Sequence, residues 1–134
     1  MKKIDLVISS DRNEIRKFES RLEEINGAIN LPPEKFINFQ IACSEALVNA
    51  IVHGNNESPD KKVFMTIEYD ERSIKIKIKD EGSGFNIESL PDPTSAENLL
   101  KESGRGIFII RSLVDDFKCS SSGDGTEFTL CINK

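Results

Sequence analysis

The stretch Asp80-Glu81-Gly82-Ser83-Gly84-Phe85 puts a carboxylate and two closely spaced glycines directly after a segment of strict apolar and polar alternation. That segment, Ile74 to Lys79, has the period of a strand that buries one face and exposes the other. Glycine permits positive φ angles and lets a ligand approach where a Cβ would block it. The stretch therefore predicts a ligand site at the end of a strand. These residues alone leave open the alternative of an ordinary strand-to-loop turn.

The composition is that of a single globular domain: 134 residues, of which 37% are hydrophobic and 31% charged. A net charge of -5 argues against nucleic acid as a direct partner, since phosphate binding needs a basic surface. The chain has no apolar run of membrane-spanning length and no signal-peptide pattern. Its cysteines, Cys43, Cys119 and Cys131, have no metal-like spacing and are expected to be thiols of a reducing compartment. We expect a cytoplasmic protein.

A strand over Lys3 to Ile8 and a helix opened by Asp11 are predicted for the first third of the chain. The apolar residues of that helix recur at steps of three and four, which indicates one buried stripe. The stripe can face the domain's own sheet or a subunit interface, and the sequence leaves both open. Its members are Ile15, Phe18, Leu22, Ile25 and Ile29.

A second helix is predicted from about Pro33 to Val52, because proline fits the first turn of a helix and not its interior. Strongly apolar residues recur along it at helical spacing, so we expect them to form its core-facing side. That expected core face consists of Ile37, Ile41, Ser44, Val48 and Ile51.

Glu45, Asn49 and His53 form a polar stripe on the same helix at positions i, i+4 and i+8. A carboxylate and an amide beside an apolar face need partners, since leaving them buried and unpaired costs free energy. A bound cation or ligand could supply those partners. The alternatives are a half-exposed Glu45, an Asn49 bonded to a nearby loop, and a helix-capping or structural role for His53.

The remaining alternating segments predict two antiparallel hairpins. The first joins residues 62–70 to 73–79, and the second joins 116–121 to 126–132 through a Gly-Asp-Gly turn. The sequence shows no repeats or linkers, so one domain is expected to cover residues 1–134.

Residues 86–103 contain prolines and polar residues but little apolar periodicity, and a loop of that length in a compact domain is usually functional. We interpret it as a mobile lid. Gly104-Arg105-Gly106 then precedes a predicted helix over residues 107–114. The free amides and the dipole at a helix N-terminus attract anions, and glycines allow phosphate to approach.

In this order, the Glu45 and Asn49 helix, the Asp80 turn and the Gly104-x-Gly106 segment resemble the N, G1 and G2 boxes of the GHKL ATPase superfamily. Gly125-Thr126-Glu127-Phe128 resembles the last short box of that superfamily. The segments 44–54 (SEALVNAIVHG) and 104–111 (GRGIFIIR) are most similar to anti-sigma-factor serine kinases of the RsbW and SpoIIAB type. The resemblance implies an α+β two-layer sandwich of the Bergerat ATP-binding type, with a mixed, mostly antiparallel sheet and helices on one face.

The resemblance also implies roles for the site residues. Asp80 would accept the adenine amino hydrogen, Asn49 would bind Mg²⁺ through its side-chain oxygen, and Glu45 would act as the catalytic base toward an acceptor hydroxyl. The phosphates of ATP would be held by the G2 amides. The residues implied in cofactor binding are Asn49, His53, Asp80, Gly82, Gly84, Lys101, Ser103, Gly104, Arg105, Gly106 and Thr126.

The function implied is an ATP-dependent serine/threonine protein kinase that is also an anti-sigma factor. Its expected partners are a sigma factor, an anti-anti-sigma protein with a STAS domain, and a second copy of itself that contacts the first strand and helix. The sequence departs from the family at Glu102, where a basic residue is expected. Two alternatives are therefore kept: an ATP-binding module that holds a partner without phosphate transfer, and a fragment of a histidine kinase.

Overall fold

The computed structural model describes residues 2–82 and 102–134, with side chains in the second range described from residue 106 onward. One segment, Asn49–Gly54, is a π-helical turn, named π1 below, that continues α2 without a break. The elements in chain order are β1 Lys2–Ser9, α1 Glu14–Ile29, α2 Pro33–Val48, π1 Asn49–Gly54, β2 Lys62–Tyr69, β3 Ser73–Lys79, α3 Glu102–Leu113, β4 Asp116–Ser122 and β5 Gly125–Asn133.

The strands form a single sheet in the order β1-β2-β3-β5-β4. Every strand pair formed by the described residues is antiparallel, so the sheet that was expected to be mixed is antiparallel across this part of the chain. Alternate residues of the central strands are buried on one face, which the helices cover, and the other face carries mostly polar side chains. One cross-strand row of the covered face consists of Ile4, Ile67, Ile76, Leu130 and Phe117. The predicted α+β architecture is confirmed.

The predicted stripe of α1 packs into the domain's own core. Phe18, Leu22, Ile25 and Ile29 are buried, and Ile15 is half-buried against them. The helix ends where Asn30 takes a left-handed conformation with φ of 58°, a conformation that asparagine tolerates better than most residues. Of the two orientations left open by the sequence, the core orientation is therefore the one observed.

The predicted core face of α2 is wrong for two of its five members, while Ser44 and Val48 are half-buried. Ile37 and Ile41 are 52% and 43% exposed. The residues that face the core are smaller on average, because alanine and cysteine let the helix approach its neighbours closely. They are Phe39, Ala42, Cys43, Ala46 and Leu47, all fully buried. Ile51, which follows in π1, is buried as expected.

Two further boundaries differ from the expectation. The α-helix predicted to reach Val52 stops at Val48, where the π-helical turn begins. Helix α3 begins at Glu102, so Gly104 and Gly106 lie within its first turns and do not precede it. Most of the predicted lid, about residues 86–103, falls outside the described residues.

The orientation of α2 predicts unequal costs for truncating two of its large apolar side chains. Leu47→Ala should lower the free energy of unfolding by about 3 kcal/mol, because it opens a cavity in the core. Ile41→Ala, on the exposed face, should change it by less than about 1 kcal/mol. Urea denaturation of both variants and the wild type measures the difference. Equal losses would contradict this orientation of α2.

Candidate functional site

The turn π1 carries residues of the site at both of its ends. Asn49 begins it and Gly54 ends it, and the amide of Asn55 donates to the carbonyl of Ala50 at 2.9 Å, one of the wide i to i+5 bonds of this conformation. Such turns are rare and often occur at functional sites. His53 also lies on π1 and is exposed.

Asp80 lies directly after β3 and is 2% exposed. Its Oδ1 atom accepts hydrogen bonds from the amides of Gly82 at 2.9 Å and Thr126 at 3.1 Å. The Asp80 amide in turn donates to the Thr126 carbonyl at 3.0 Å. Three of the predicted site residues are thus joined by direct contacts. Both amides donate to the same oxygen, so neither of them occupies Oδ2.

Two glycines allow the neighbouring backbone to approach Asp80 closely. A Cβ on Gly54 would collide with the Asp80 carboxylate, and a Cβ on Gly125 would collide with the Asp80 carbonyl. Gly125 also has φ of +136°, a conformation that other residues rarely adopt. The aspartate therefore lies in a recess whose walls are backbone atoms.

Burial raises the pKa of the Asp80 carboxyl above its ordinary value. The hydrogen bonds from Gly82 and Thr126, followed by the charges of Lys61 and Lys79, act in the opposite direction but do not cancel the effect of burial. A buried carboxylate of this kind gains from a ligand that donates a hydrogen bond to its open oxygen.

Glu45, Asn49 and Gly106 form a second cluster at the start of π1. Asn49 is 4% exposed and its amide nitrogen donates to the Glu45 carbonyl at 3.1 Å. Helix α3 packs closely here, since a Cβ on Gly106 would lie 3.0 Å from Asn49 Nδ2 and 3.3 Å from Glu45 Oε2. Glu45 itself is half-buried.

The Asn49 side chain presents a buried oxygen that no described residue satisfies, since Oδ1 has no hydrogen-bond partner. An orphaned amide oxygen is a ligand that suits Mg²⁺, which prefers oxygen donors. The described residues contain no cluster of three or more metal-ligating side chains.

The two clusters lie on one continuous piece of backbone. Glu45 lies in the last turn of α2 and Asn49 begins π1, while Gly54 at the end of π1 approaches Asp80. Gly54 lies five positions after Asn49, about one turn of the π-helix further along the axis. The carboxylate recess and the orphaned amide oxygen are therefore neighbours along one helical segment.

Several predicted site residues are not placed by these contacts. Among the phosphate-binding candidates, only Gly106 has described surroundings. Gly84 and Lys101 lie outside the described residues. Ser103, Gly104 and Arg105 belong to α3, where the structure describes the backbone at these positions but not the side-chain surroundings.

The structure adds Asn55, which is not among the residues that the sequence predicts for the site. Asn55 is fully buried and bonds to the amide of Glu81, directly after Asp80. In the sequence, Asn55 is marked only by its position immediately after residues 44–54, the segment that carries Glu45 and Asn49.

A sequence profile of the histidine kinase-like ATPase domain matches residues 8–132. The chain belongs to the histidine kinase-like ATPase family. Among the described residues of this family member, no helix combines the length and apolar character that crossing a membrane requires.

Curated relatives of this histidine kinase-like ATPase include anti-sigma factors and a serine-protein kinase. It is 31% identical over 91 residues to the anti-sigma F factor of Bacillus cytotoxicus, covering 66% of this chain and 62% of that protein. The anti-sigma F factor of Bacillus velezensis is 31% identical over 100 residues, covering 72% and 68% of the two chains. The serine-protein kinase RsbW of Oceanobacillus iheyensis is 30% identical over 94 residues, covering 66% and 60%. The matched part spans about three fifths of the first of these relatives. These matches confirm the predicted resemblance to anti-sigma-factor serine kinases.

Solved structures share the fold at low sequence identity. The RsbU and RsbW domains of a Mycobacterium tuberculosis protein superpose with a TM-score of 0.69 at 17% identity, covering 98% of this chain and 32% of that one. A histidine kinase domain from a blue-light-activated Erythrobacter litoralis protein gives 0.60 at 20% identity, covering 90% and 59%.

The raised pKa of Asp80 predicts a pH-dependent effect of Asp80→Asn on stability. Folding favours the neutral carboxyl, so its contribution to the free energy of unfolding is fully present below the unfolded pKa of about 3.9. That contribution is lost as the pH rises through the folded pKa. Asparagine never ionises, so the variant should be more stable than the wild type at neutral pH. This advantage should shrink as pH falls through the folded pKa of Asp80. Urea unfolding across this range measures it.

Asp70→Asn is the matched control with the opposite sign. Hydrogen bonds from the amides of Arg72 and Ser73 lower the pKa of Asp70, so its ionised form is favoured by folding. That stability is present above the unfolded pKa and is lost as pH falls through the folded pKa. Asp70→Asn should therefore be less stable than the wild type at neutral pH. A pH-independent loss of stability in Asp80→Asn would contradict the burial argument.

Proposed function

We propose that the protein is an ATP-dependent serine/threonine protein kinase and anti-sigma factor, acting on an anti-anti-sigma protein with a STAS domain. The observation that carries the proposal is the placement of a buried aspartate and an orphaned amide oxygen at the two ends of π1. The family membership and the names of the relatives support the same activity.

Asp80 would recognise adenine. Its Oδ1 is occupied by the amides of Gly82 and Thr126, which leaves Oδ2 to accept the hydrogen of the adenine amino group. Guanine carries a carbonyl at that ring position, and two acceptors facing each other in a buried site are unfavourable. The recess would therefore select ATP over GTP.

Asn49 would hold Mg²⁺ through Oδ1, and the backbone at the start of α3 would hold the phosphates. The cation would supply neutralisation of the charge on the phosphates during transfer. Lys101, Ser103 and Arg105 are proposed as further phosphate contacts, and Gly84 and His53 as further contacts of the nucleotide.

Glu45 would act as the base. Its carboxylate lies beside Asn49 at the closely packed contact with Gly106, where the terminal phosphate would be held. The serine or threonine oxygen attacks the γ-phosphorus, the bond from that phosphorus to the bridging oxygen breaks, and ADP leaves. Glu45 takes the hydroxyl proton.

A second candidate is a nucleotide-sensing module that holds a partner without phosphate transfer. Glu102, at the first residue of α3, favours this reading because an acidic residue stands where the family pattern has a basic one. An acidic group beside a triphosphate is unfavourable unless it points away.

The proposal extends to partners and location. The sigma factor and the STAS protein would bind this domain in alternation, and the domain would act as a homodimer in the cytoplasm. Three free cysteines fit a reducing compartment. An apolar pair on the outward sheet face supports the first strand as the dimer surface: Val7, 60% exposed, lies opposite Phe64, 42% exposed.

Glu45→Gln should reduce phosphate transfer from γ-labelled ATP to the STAS partner by about 100-fold or more, because it removes the base. Its affinity for ATP, measured by calorimetry, should stay near the wild-type value. Asp80→Asn should lower ATP affinity by about tenfold or more while the domain stays folded. Glu71→Gln, at the exposed turn between β2 and β3, is the matched control and should change neither.

The outcomes separate the two candidates. If the wild-type protein binds ATP but never phosphorylates a cognate STAS protein, the binding module is the correct function. Unchanged ATP affinity in Asp80→Asn would refute the adenine assignment under either candidate.

Val7→Lys should convert the proposed dimer to a monomer, because it places a charge in the centre of the apolar pair with Phe64. Sedimentation equilibrium measures the mass. Phe108→Lys is the control, since Phe108 is similarly exposed, at 43%, but lies on α3. A monomeric wild type, or a Val7→Lys variant that remains dimeric, would contradict this surface.

A further inference from the structure

Asn55 is a buried polar side chain that bonds to the residue directly after Asp80. It is 0% exposed, and its amide nitrogen donates to Ser10 Oγ at 2.9 Å and to the Lys62 carbonyl at 3.0 Å. Its Oδ1 accepts from the Glu81 amide at 2.7 Å. Both donor hydrogens and the acceptor of this amide are therefore in use.

These bonds connect three separate segments of the chain. Ser10 follows β1 and also donates to the Lys61 carbonyl at 2.6 Å. Lys62 begins β2, and its amide donates to Glu81 Oε2 at 2.6 Å. The loop after β3 is thus tied to the end of β1 and the start of β2 through one buried amide.

This network restrains the backbone on which adenine recognition depends. Glu81 lies between Asp80, whose carboxyl would accept the adenine hydrogen, and Gly82, whose amide orients that carboxyl. If the Glu81 amide lost its acceptor, the peptide group that joins Asp80 to Glu81 could rotate. Oδ2 of Asp80 would then turn away from the ligand. Since Asn55 is fully buried, it cannot touch the nucleotide itself.

We propose that Asn55 is a positioning residue for adenine specificity, acting through the Glu81 amide on the orientation of Asp80. This inference rests on the proposed function, since it takes Asp80 as the adenine acceptor.

The test compares the affinities of ATP and inosine triphosphate, which has an oxygen in place of the adenine amino group. The wild-type protein should prefer ATP by about tenfold or more, the effect of one hydrogen bond to a carboxylate. Asn55→Ala should reduce that preference to below about threefold. A purely structural defect would weaken both nucleotides equally and leave the ratio unchanged. Titration calorimetry with each nucleotide gives the ratio.

Asn26→Ala is the matched control. Asn26 Oδ1 accepts from the Leu31 amide at 3.0 Å, a comparable amide-to-backbone bond at the end of α1. This variant should lose stability but keep the wild-type ratio of affinities. Ser10→Ala removes one acceptor of the Asn55 amide and should lower the preference for ATP over inosine triphosphate by a smaller factor. This variant decides the test if Asn55→Ala does not fold.

An unchanged ratio in folded Asn55→Ala overturns the inference while leaving the adenine site intact. If Asn55→Ala does not fold, an unchanged ratio in Ser10→Ala overturns it. A wild-type protein with no preference for ATP over inosine triphosphate would instead refute the assignment of Asp80, and with it the basis of the proposal.

Discussion

The burial of the Asp80 carboxyl against backbone amides is the interaction on which the rest of the site depends. One oxygen is held by Gly82 and Thr126, which belong to segments far apart in the sequence, so the recess forms only when β3 and β5 pair. The cost of desolvating the carboxylate is visible in the raised pKa. The domain thus carries, at the end of a central strand, a group whose environment favours a hydrogen-bond donor.

The architecture places Glu45 and Asn49 on the segment that leads to that recess, because a core helix continues past its packed region. Helix α2 is anchored by small and apolar residues, among them Ala42, Ala46 and Leu47. Its last turn and π1 then present Glu45 and Asn49 toward α3. Because one side of this helix is fixed by the core, the polar side chains on it are held in place without a loop. Rigid placement of this kind lowers the cost of organising a site when a ligand binds.

Much of the fold could be predicted from the sequence, because alternation and helical spacing are strong signals. The strands were placed to within one or two residues, and the stripe of α1 was correct. The core face of α2 was wrong at Ile37 and Ile41, because isoleucines at helical spacing are a stronger signal than the alanines that are buried there. Asn55 was missed because a polar residue after a glycine is typical of an exposed turn. The family was identified from four ordered motifs and is confirmed, while the role of each site residue stays a prediction.

The π-helical turn has a consequence for how the segment tolerates change. In an α-helix, residues five positions apart point in directions that differ by about 140°. The wider winding of π1 sets Asn49 and Gly54 more nearly above one another. Deleting a single residue here would convert π1 to an α-helical turn, and because residues four positions apart in an α-helix differ by only about 40°, Gly54 would stay on the Asn49 side of the axis. The π-helical turn therefore accommodates one extra residue between these two positions while keeping both on the same side of the helix.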